Sequence, residues 1–205
     1  AGAKPVFVDI KEDDFNMNSA ELKKKITKKT RAIIIVHLYG NPADIVEISK
    51  VAKKNKIYLI EDCSQAHGAE FNKKKVGTFG DLSCFSFYPT KNLSTFGDAG
   101  IVCTNNKKRF KKIKFFREYG WKKKNIGVSE GYNKRLDELH AGILNVKLDN
   151  IDKFNKKRIF FFIKFLNLIN SKKILLPQKN NTKKHVFHLF VIRVKNNLRS
   201  KFISY

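Results

Sequence analysis

The residue with the clearest chemical potential in this sequence is Lys91. It follows an apolar run and a proline, and a small-residue loop comes after it. Its neighbours along the chain are aromatic rather than charged: Phe85, Phe87, Tyr88 and Phe96. In such surroundings a lysine loses its proton more readily than a surface lysine, because desolvation disfavours the ammonium form. The neutral amine is a nucleophile toward aldehydes. The alternative is a surface lysine with a partly covered stem, which is common in a lysine-rich chain.

Three polar residues are placed to assist that lysine. Asp62 ends the apolar run that begins at Ile57, Gln65 lies in the following loop, and Ser86 precedes Lys91 by five residues. In open α/β sheets, ligands gather outside the carboxyl ends of the strands. A pyridoxal phosphate enzyme uses a lysine to form a Schiff base with the cofactor aldehyde and a carboxylate to pair with the pyridinium nitrogen. A hydroxyl for the phosphate and a polar group for the ring hydroxyl would complete such a site.

Each of these three residues also has an ordinary structural explanation. A strand-end aspartate such as Asp62 is typical of a helix cap or a turn. Gln65 is compatible with a solvated side chain, and Ser86 with a hydrogen-bonded serine of the core. The combination favours a site, but its spacing alone does not identify the cofactor.

The surrounding pattern predicts the strands and helix that position these residues. Residues 32–37 form a continuous apolar run suited to a strand covered on both faces, and residues 57–60 form a second run. Between them we predict a helix to about Asn55, with Asn41 as its cap and Pro42 at its first position. A strand, a helix and a second strand imply a right-handed crossover and parallel pairing.

Further elements are predicted with less bearing on the site. We expect a short strand at residues 5–9, a helix capped by Asn18 or Ser19, and strands before Lys91 and at residues 101–103. A basic amphipathic helix is predicted over residues 107–118, and helices over 136–148 and through 154–169. Residues 186–193 are strand-like. The helix over 136–148 places Leu136, Leu139, Ile143 and Val146 on one face.

The formal net charge of +25 raises nucleic-acid binding as an alternative function. The basic residues are scattered in twos and threes, however, and no basic stripe interleaved with exposed aromatics stands out. After Asp152 there is no acidic residue to the end of the chain. The pattern favours a general lysine bias, so we do not expect functional nucleic-acid binding. The charge is compatible with an anionic substrate.

Cysteine usage and hydropathy limit the remaining classes of protein. Cys63, Cys84 and Cys103 are odd in number and lack paired metal-ligand spacing, so we predict no metal site and expect the last two to be inert buried thiols. The most apolar stretch, residues 159–169, is interrupted by Lys164, and no transmembrane helix is expected. The first residues contain no apolar signal-peptide segment, which predicts a cytoplasmic protein.

Four segments resemble, in order, the signatures of one known family. They are Glu61 to Ala69 (EDCSQAHGA), Gly77 to Asp81 (GTFGD), Phe85 to Asn92 (FSFYPTKN) and Gly131 to Ala141 (GYNKRLDELHA). By these motifs the chain resembles the DegT/StrS-type nucleotide-sugar aminotransferases, and the similarity runs from about Val6 to Arg193.

This resemblance implies an α/β fold of the aspartate-aminotransferase type, fold type I. A large cofactor-binding domain with a mainly parallel sheet would be followed by the start of a small α+β C-terminal domain. We assign residues 1–148 to part of the large domain, and residues 149–205 to a connecting helix and the start of the small domain. Family members run to nearly twice this length, so we expect this chain to be a fragment without the N-terminal phosphate loop and most of the small domain.

The resemblance also assigns roles to the candidate residues. Asp62 would pair with the pyridinium nitrogen of pyridoxal phosphate, Gln65 would contact the cofactor face or ring hydroxyl, and Ser86 would bind the phosphate. Lys91 would be the Schiff-base lysine and, once displaced by a substrate amine, the base that moves the proton. Asn133 would reach the phosphate of the neighbouring subunit's cofactor, which implies a homodimer with shared active sites.

The implied activity is transfer of an amino group from an amino acid, expected to be glutamate, to a nucleotide-linked keto sugar in cell-surface polysaccharide or amino-sugar biosynthesis. Relatives that perform dehydration replace the lysine, so Lys91 favours transamination. Trp121 resembles a variant found in members that act on dTDP-linked 3-keto-6-deoxy sugars. The alternative is a catalytically inactive regulator or sensor with the same fold. For His37 and His67 we favour packing over a place in the site.

Overall fold

The computed structural model describes residues 2–178, 180–195 and 198–204. In chain order its helices and strands are α1 (Ser19–Lys25), β1 (Ala32–Val36), α2 (Ile45–Lys54), β2 (Tyr58–Asp62), β3 (Glu70–Phe71), β4 (Lys74–Lys75), β5 (Leu82–Ser86), β6 (Gly100–Cys103), α3 (Lys107–Arg117), β7 (Trp121–Lys123), β8 (Ile126–Gly127), α4 (Glu138–Leu148), α5 (Ile151–Leu168), β9 (Ile174–Leu175), β10 (Lys183–Lys184), β11 (Arg193–Val194) and α6 (Arg199–Ile203).

A four-stranded sheet carries the candidate site. Its strand order is β1-β2-β5-β6; the first three strands run parallel and β6 is antiparallel. The predicted parallel pairing across α2 is therefore confirmed, with Ile34 opposite Ile60 in the register. Because parallel strands end at the same edge, the carboxyl ends of β1, β2 and β5 lie side by side.

Only one face of β1 is buried, so the prediction of a strand covered on both faces is wrong for the described residues. Ile33 and Ile35 pack in a core that includes Ile45 and Ile48 of α2. Ile34, which lies between these two residues in the strand, is 59% exposed. The side chains of a strand alternate between the two faces of the sheet, and α1 and α2 contribute buried residues to only one of these faces.

Helix α2 begins later than the sequence predicts. Its N-cap is Asp44 rather than Asn41, and Pro42 lies before the helix. A short 3₁₀ turn precedes it, in which Tyr39 and Gly40 take positive φ angles of 59° and 90°. The side chain of Asp44 makes no capping bond, because its two oxygens bind lysines instead.

Those lysines belong to a closed ring of charges that joins three distant segments. Lys183 reaches Asp14 at 3.0 Å and Asp44 at 2.8 Å, and Lys11 reaches the same two carboxylates at 2.9 Å each. The pKa values of both aspartates are lowered: burial alone would raise them, but the two lysines outweigh it. The ring fixes the N-terminal segment and β10 against the start of α2.

Two predicted strands are wrong. Residues 5–9 form no strand, and the nearest pairing is a single bridge between Ile10 and Met17. Of residues 186–193, only Arg193 belongs to a strand, paired in β11 with β9. The remainder lies against the turn before α2 instead: the backbone N–H of Val186 donates to the Gly40 carbonyl at 3.0 Å.

The later helices are present, but apolar side chains that share a predicted helix face are not all buried. In α4, Leu139 is 82% exposed and Val146 is 70% exposed, whereas Leu144 is buried with Phe87 and Leu93. In α5, the buried residues are Asn155 and Phe162. The predicted amphipathic helix α3 buries none of its side chains. None of the helices in the described part of the chain has the length and apolarity needed to cross a membrane.

Candidate active site

Three of the predicted site residues follow neighbouring strand ends. Asp62 is the last residue of β2, Ser86 is the last residue of β5, and Lys91 lies in the loop after β5. Asp62 pairs with Val36 on one side and Cys84 on the other, which fixes its place at the edge. The sheet therefore brings a carboxylate, a hydroxyl and a primary amine to one edge, as the sequence predicts.

The backbone around these residues leaves them partly accessible. One carboxylate oxygen of Asp62 accepts the N–H of Ser64 at 2.9 Å, and the hydroxyl of Ser86 accepts the N–H of Tyr88 at 3.4 Å. The N–H of Lys91 donates to the carbonyl of Tyr88 at 2.9 Å, which closes a turn. Asp62, Ser86 and Lys91 are each partly buried, so a ligand at the edge can reach them.

Gln65 is anchored rather than solvated. Its Oε1 accepts the backbone N–H of Tyr39 at 2.6 Å, which ties the loop after β2 to the turn after β1. Gly40 lies against the same loop, since a Cβ there would meet the Gln65 carbonyl oxygen at 2.9 Å. The side-chain NH₂ group of Gln65 has no partner among the described hydrogen bonds, so it can donate to a ligand.

The expected aromatic surroundings of Lys91 are only partly present. Phe87 is buried, but Tyr88 is 48% exposed and Phe96 is 79% exposed. These two side chains are open to solvent, so the aromatic enclosure expected around Lys91 is incomplete among the described residues. Proximity in sequence misleads here because the loop after β5 leaves two of its aromatic side chains, Tyr88 and Phe96, exposed.

Asn92, next to Lys91, is a residue that the sequence analysis did not select. Its Nδ2 donates to the Val186 carbonyl at 3.1 Å and to Asn155 Oδ1 at 2.9 Å, and its Oδ1 lies 3.2 Å from His188 Nδ1. Asn155 is fully buried on α5 and donates to the carbonyl of His67 at 2.9 Å. Two asparagines thus join the lysine loop, the loop after β2 and residues 186–188.

His67 packs inside the molecule, as favoured from the sequence, but it also lies near the site. It is 3% exposed, its ring contacts Phe85 and Phe87, and neither ring nitrogen has a hydrogen-bond partner among the described residues. Burial lowers the pKa of His67 to about 4; the Ser86 carbonyl acts in the opposite direction, and His188 and Lys91 lower the pKa further. His67 is therefore neutral at pH 7.

Glu61, which precedes Asp62 in β2, is another residue that the sequence analysis did not select. The carboxylate is fully buried and accepts the backbone N–H groups of Gly77, Phe79 and Gly80 at 2.7, 2.7 and 2.6 Å, with His37 Nε2 at 3.1 Å. Burial alone would raise the pKa of Glu61, but these donors hold it below its usual range. The alternation of side chains along β2 could have pointed to Glu61, because it turns Glu61 to the face opposite Asp62.

His37, Glu61 and Cys63 have potential ligand atoms within 4.8 Å of one another, the spacing of a metal site. Their lone pairs are already occupied: Glu61 accepts four hydrogen bonds, and His37 Nδ1 accepts the N–H of Ala43 at 3.1 Å. Burial also raises the pKa of the Cys63 thiol, which disfavours the thiolate form. The arrangement is structural, and His37 packs as predicted. Cys84 and Cys103 are only partly buried, and burial raises their thiol pKa values as well.

Asn133, the fifth predicted site residue, lies elsewhere. It is exposed and pairs with Glu118 through an isolated bridge. The backbone of the segment that carries Asn133 packs closely against Gly120, since a Cβ on Gly131 would meet the backbone nitrogen of Gly120 at 2.1 Å. Tyr119 and Trp121 stack beside it, with ring centroids 4.8 Å apart. The described contacts do not bring Asn133 to the edge with Lys91.

Comparisons with known proteins agree with this geometry. The model of the DegT/DnrJ/EryC1/StrS aminotransferase family matches residues 1–205. The chain is 44% identical over 194 residues to a dTDP-3-amino-3,6-dideoxy-alpha-D-galactopyranose transaminase of Aneurinibacillus thermoaerophilus, covering 95% of this chain and 53% of that protein. It is 41% identical over 196 residues to a pleiotropic regulatory protein of Geobacillus stearothermophilus, covering 94% and 53%.

Solved structures show the same relationship. The crystal structure of S. venezuelae DesV in complex with a ketimine intermediate has a TM-score of 0.93 and 36% identity, covering 99% of this chain and 56% of that one. Bacillus subtilis NtdA with bound cofactor PMP has a TM-score of 0.85 and 31% identity, covering 98% and 46%.

The chain spans about half the length of the curated relatives it matches. The family model covers all of it, and the chain belongs to the DegT/DnrJ/EryC1/StrS aminotransferase family. Pyridoxal phosphate is the cofactor of this family.

Proposed function

We propose that this member of the DegT/DnrJ/EryC1/StrS family is part of a pyridoxal-phosphate-dependent aminotransferase that transfers an amino group from an amino acid to a nucleotide-linked keto sugar. One observation carries the proposal: Asp62, Ser86 and Lys91 occupy the ends of two neighbouring strands and the loop that follows. A carboxylate, a hydroxyl and an amine at one sheet edge are the groups that this cofactor requires.

The residues at this edge fit the cofactor. Asp62 retains a carboxylate oxygen beyond the one that accepts the N–H of Ser64, and that oxygen would bind the ring nitrogen. Ser86 would hold the phosphate, the NH₂ group of Gln65 would contact the ring hydroxyl, and Lys91 would bind the aldehyde. The cofactor, when bound, supplies an electron sink for cleavage of a bond to hydrogen at the amine-bearing carbon.

The part that this chain would play in the chemistry centres on one proton. The Lys91 amine, once released by the incoming amino group, would take the proton from the amine-bearing carbon of the donor. It would then deliver the same proton to the cofactor. Asp62 would keep the ring nitrogen protonated, because a carboxylate at hydrogen-bond distance favours the charged form. Glu61 would act indirectly, by holding the backbone below the edge.

For the substrate, we propose a dTDP-linked 3-keto-6-deoxyhexose, with glutamate as the amino donor. Support comes from the relative that is a dTDP-3-amino-3,6-dideoxygalactose transaminase and from the presence of Trp121 beside Tyr119. The product would be an amino sugar for cell-surface polysaccharide or related biosynthesis in the cytoplasm.

We further propose a homodimer in which Asn133 completes the partner's site. Asn133 is exposed and carries no described contact with the edge that holds Lys91, as expected of a residue that acts across a subunit interface. The close packing of Gly120 and Gly131 would hold the segment rigid for that contact.

The test is whether Lys91 binds the cofactor covalently. Purified protein is incubated with pyridoxal phosphate, reduced with borohydride and digested, and the labelled peptide is identified by mass spectrometry. We expect the label on Lys91 and its loss in Lys91→Ala, while Lys75→Ala, at an exposed lysine paired with Glu70, keeps it. A protein labelled only at other lysines would contradict the proposal.

A second measurement separates the enzyme from a regulator with the same fold, the alternative raised by the relative named a pleiotropic regulatory protein. Protein carrying the cofactor is mixed with glutamate and, separately, with dTDP- and UDP-linked keto sugars, and amino-sugar formation is followed. Label on Lys91 without turnover of any substrate would favour the regulator. Turnover of UDP-linked sugars alone would refute the dTDP assignment.

A further inference from the structure

Two asparagines anchor the loop that carries Lys91, and neither has a role in the function proposed above. Asn92 directly follows Lys91 in the chain. Its Nδ2 donates to the Oδ1 of Asn155 at 2.9 Å and to the Val186 carbonyl at 3.1 Å. Asn155 is fully buried on α5, and its Nδ2 donates to the carbonyl of His67 at 2.9 Å. The pair therefore joins the lysine loop to the loop after β2.

The orientation of both side-chain amides is fixed by backbone carbonyls. A carbonyl accepts hydrogen bonds and donates none, so the NH₂ group of Asn92 must face Val186. For the same reason the NH₂ group of Asn155 must face the carbonyl of His67. The Oδ1 of Asn92 then lies 3.2 Å from His188 Nδ1. A flipped amide would turn its oxygen toward a carbonyl oxygen, so the pair holds one arrangement.

The backbone of the loop after β2 comes unusually close to Asn155. Gly68 follows His67 and has a φ angle of 80°, a conformation that residues with a Cβ disfavour. A Cβ on Gly68 would also meet the Nδ2 of Asn155 at 2.8 Å. The contact between α5 and this loop therefore depends on an asparagine on one side and a glycine on the other.

Other contacts hold the far end of the lysine loop. Lys147 of α4 donates to the Ser94 carbonyl at 2.8 Å. At the lysine itself, the backbone N–H of Lys91 closes a turn within the loop by donating to the Tyr88 carbonyl at 2.9 Å. Among the described hydrogen bonds, those of the Asn92 side chain are the nearest to Lys91 along the chain that tie this loop to another element.

We propose that Asn155, acting through Asn92, is a positioning residue for Lys91, and that it fixes the lysine loop relative to the loop after β2. The inference rests on the proposed function, in which Lys91 binds the cofactor aldehyde. In that step the Lys91 amine condenses with the aldehyde, so that a C=N bond forms and water leaves. Bond formation of this kind is sensitive to a displacement of about 1 Å, which an unanchored loop would allow.

The experiment compares two forms of the cofactor by equilibrium dialysis. Pyridoxal phosphate has the aldehyde that Lys91 would bind, whereas pyridoxamine phosphate has an amine in its place and cannot make that bond. Asn155→Leu keeps the size of the side chain but removes its amide, and we expect affinity for pyridoxal phosphate to fall by about tenfold or more. Affinity for pyridoxamine phosphate should change by about twofold or less. Asn167→Leu, at an exposed asparagine on the same helix, should leave both affinities unchanged.

Further variants connect the effect to the lysine. Lys91→Ala already lacks the bond to the aldehyde, so adding Asn155→Leu should not weaken the binding of pyridoxal phosphate any further. Asn92→Ala removes the other member of the pair, and we expect it to lower the affinity for pyridoxal phosphate as Asn155→Leu does. The Asn92 side chain is only partly buried, so Asn92→Ala also gives the test should Asn155→Leu fail to fold.

Hydrogen exchange of the cofactor-free protein tests the anchor without a ligand. Backbone amides of residues 88–93 should exchange about tenfold faster in Asn155→Leu or Asn92→Ala than in the parent protein, while those of β1 should exchange at the parent rate.

Three results would overturn the inference: unchanged affinity for pyridoxal phosphate, an equal loss of affinity for both cofactor forms, or unchanged exchange of residues 88–93. An equal loss would mean that the asparagines only maintain the fold. Faster exchange of the loop in variants of a protein that binds neither cofactor form would support the inferred anchor and refute the proposed function.

Discussion

Glu61 Oε1 accepts the backbone N–H of Gly80 at 2.6 Å, and this contact explains why a glycine-containing turn precedes β5 in the chain. The turn from Gly77 to Gly80 directs three N–H groups at one buried carboxylate. A Cβ on Gly80 would meet the carbonyl of Leu59 at 2.7 Å, so only glycine lets the backbone come this close. Glu61 thereby fixes the beginning of β5, the strand that ends before Lys91.

Replacing Glu61 by glutamine should destabilise the protein. Glu61→Gln keeps the size of the side chain but removes its charge and turns an NH₂ group toward N–H donors, which leaves buried groups unsatisfied. We expect the free energy of unfolding to fall by about 3 kcal/mol, measured by urea denaturation. Glu47→Gln is the matched control, because the Glu47 carboxylate is half exposed and binds Lys23 at the surface. It should cost about 1 kcal/mol or less, and equal losses in the two variants would contradict this account.

The local pattern of the sequence was sufficient to predict the parallel strands and the residues at the edge of the sheet. The apolar runs at residues 32–36 and 57–60 bury alternate side chains against α2, and each is followed by polar residues. Asp62 and Lys91 could therefore be placed near each other from strand ends alone. The roles assigned to Asp62, Gln65, Ser86, Lys91 and Asn133 stay predictions.

Distant contacts explain what the sequence could not predict. Asn41 and Pro42 have the residue types of a helix start, but the ion pairs of Asp44 with Lys11 and Lys183 place the N-cap at Asp44. Residues 186–192 have the composition of a strand, yet their hydrogen bonds go to the turn at Gly40. Asn155 lies 63 positions from Asn92, and sequence patterns do not reveal such a pair.

The buried lysine of the charge ring should matter more to stability than an exposed one. Lys183 has a side chain only 5% exposed and binds both Asp14 and Asp44. Lys183→Met leaves two neighbouring carboxylates with Lys11 alone, and we expect a loss of about 3 kcal/mol in the free energy of unfolding. Lys24→Met removes an exposed pair with Glu21 and should cost about 0.5 kcal/mol or less. Thermal or urea unfolding of both variants checks this, and a costless Lys183→Met would show that the ring does not stabilise the fold.

Two glycines on either side of the start of α4 should respond to alanine in opposite directions. A Cβ on Gly131 would lie 2.1 Å from the Gly120 nitrogen, so Gly131→Ala must displace the segment that carries Asn133 and should cost about 2 kcal/mol. Gly142 lies inside α4, and among the described residues an added Cβ would meet no atom within 4 Å apart from its chain neighbours and the backbone of its own helix. Gly142→Ala should stabilise the protein by roughly 0.5–1 kcal/mol through helix propensity. Urea denaturation measures both, and stabilisation by Gly131→Ala would refute the close approach.

Cofactor affinity should depend on Asp62. Asp62→Asn would replace a charge-assisted hydrogen bond to the ring nitrogen by a neutral one, and we expect affinity for pyridoxal phosphate to fall by about tenfold or more. Asp98→Asn, at an exposed aspartate in the loop after Lys91, serves as the control and should bind normally. Equilibrium dialysis gives the two affinities, with unfolding curves to show that both variants are folded. Equal affinity for the two variants would remove Asp62 from the proposed site.

The buried ring of His67 should make stability depend on pH. The pKa of His67 is lowered from 6.5 to about 4 on folding, so below pH 6.5 the unfolded chain takes up a proton that the folded protein does not. Stability is therefore lost as pH falls, by about 2 kcal/mol from this residue between pH 7.5 and pH 5. His67→Leu fills the apolar space against Phe85 and Phe87 without a titrating group. Urea unfolding at several pH values should show a smaller loss of unfolding free energy in the variant over this pH range. The carboxylates with lowered pKa values remain ionised over the same range. Parallel pH profiles for the two proteins would mean that His67 takes up its proton in the folded state as readily as in the unfolded chain.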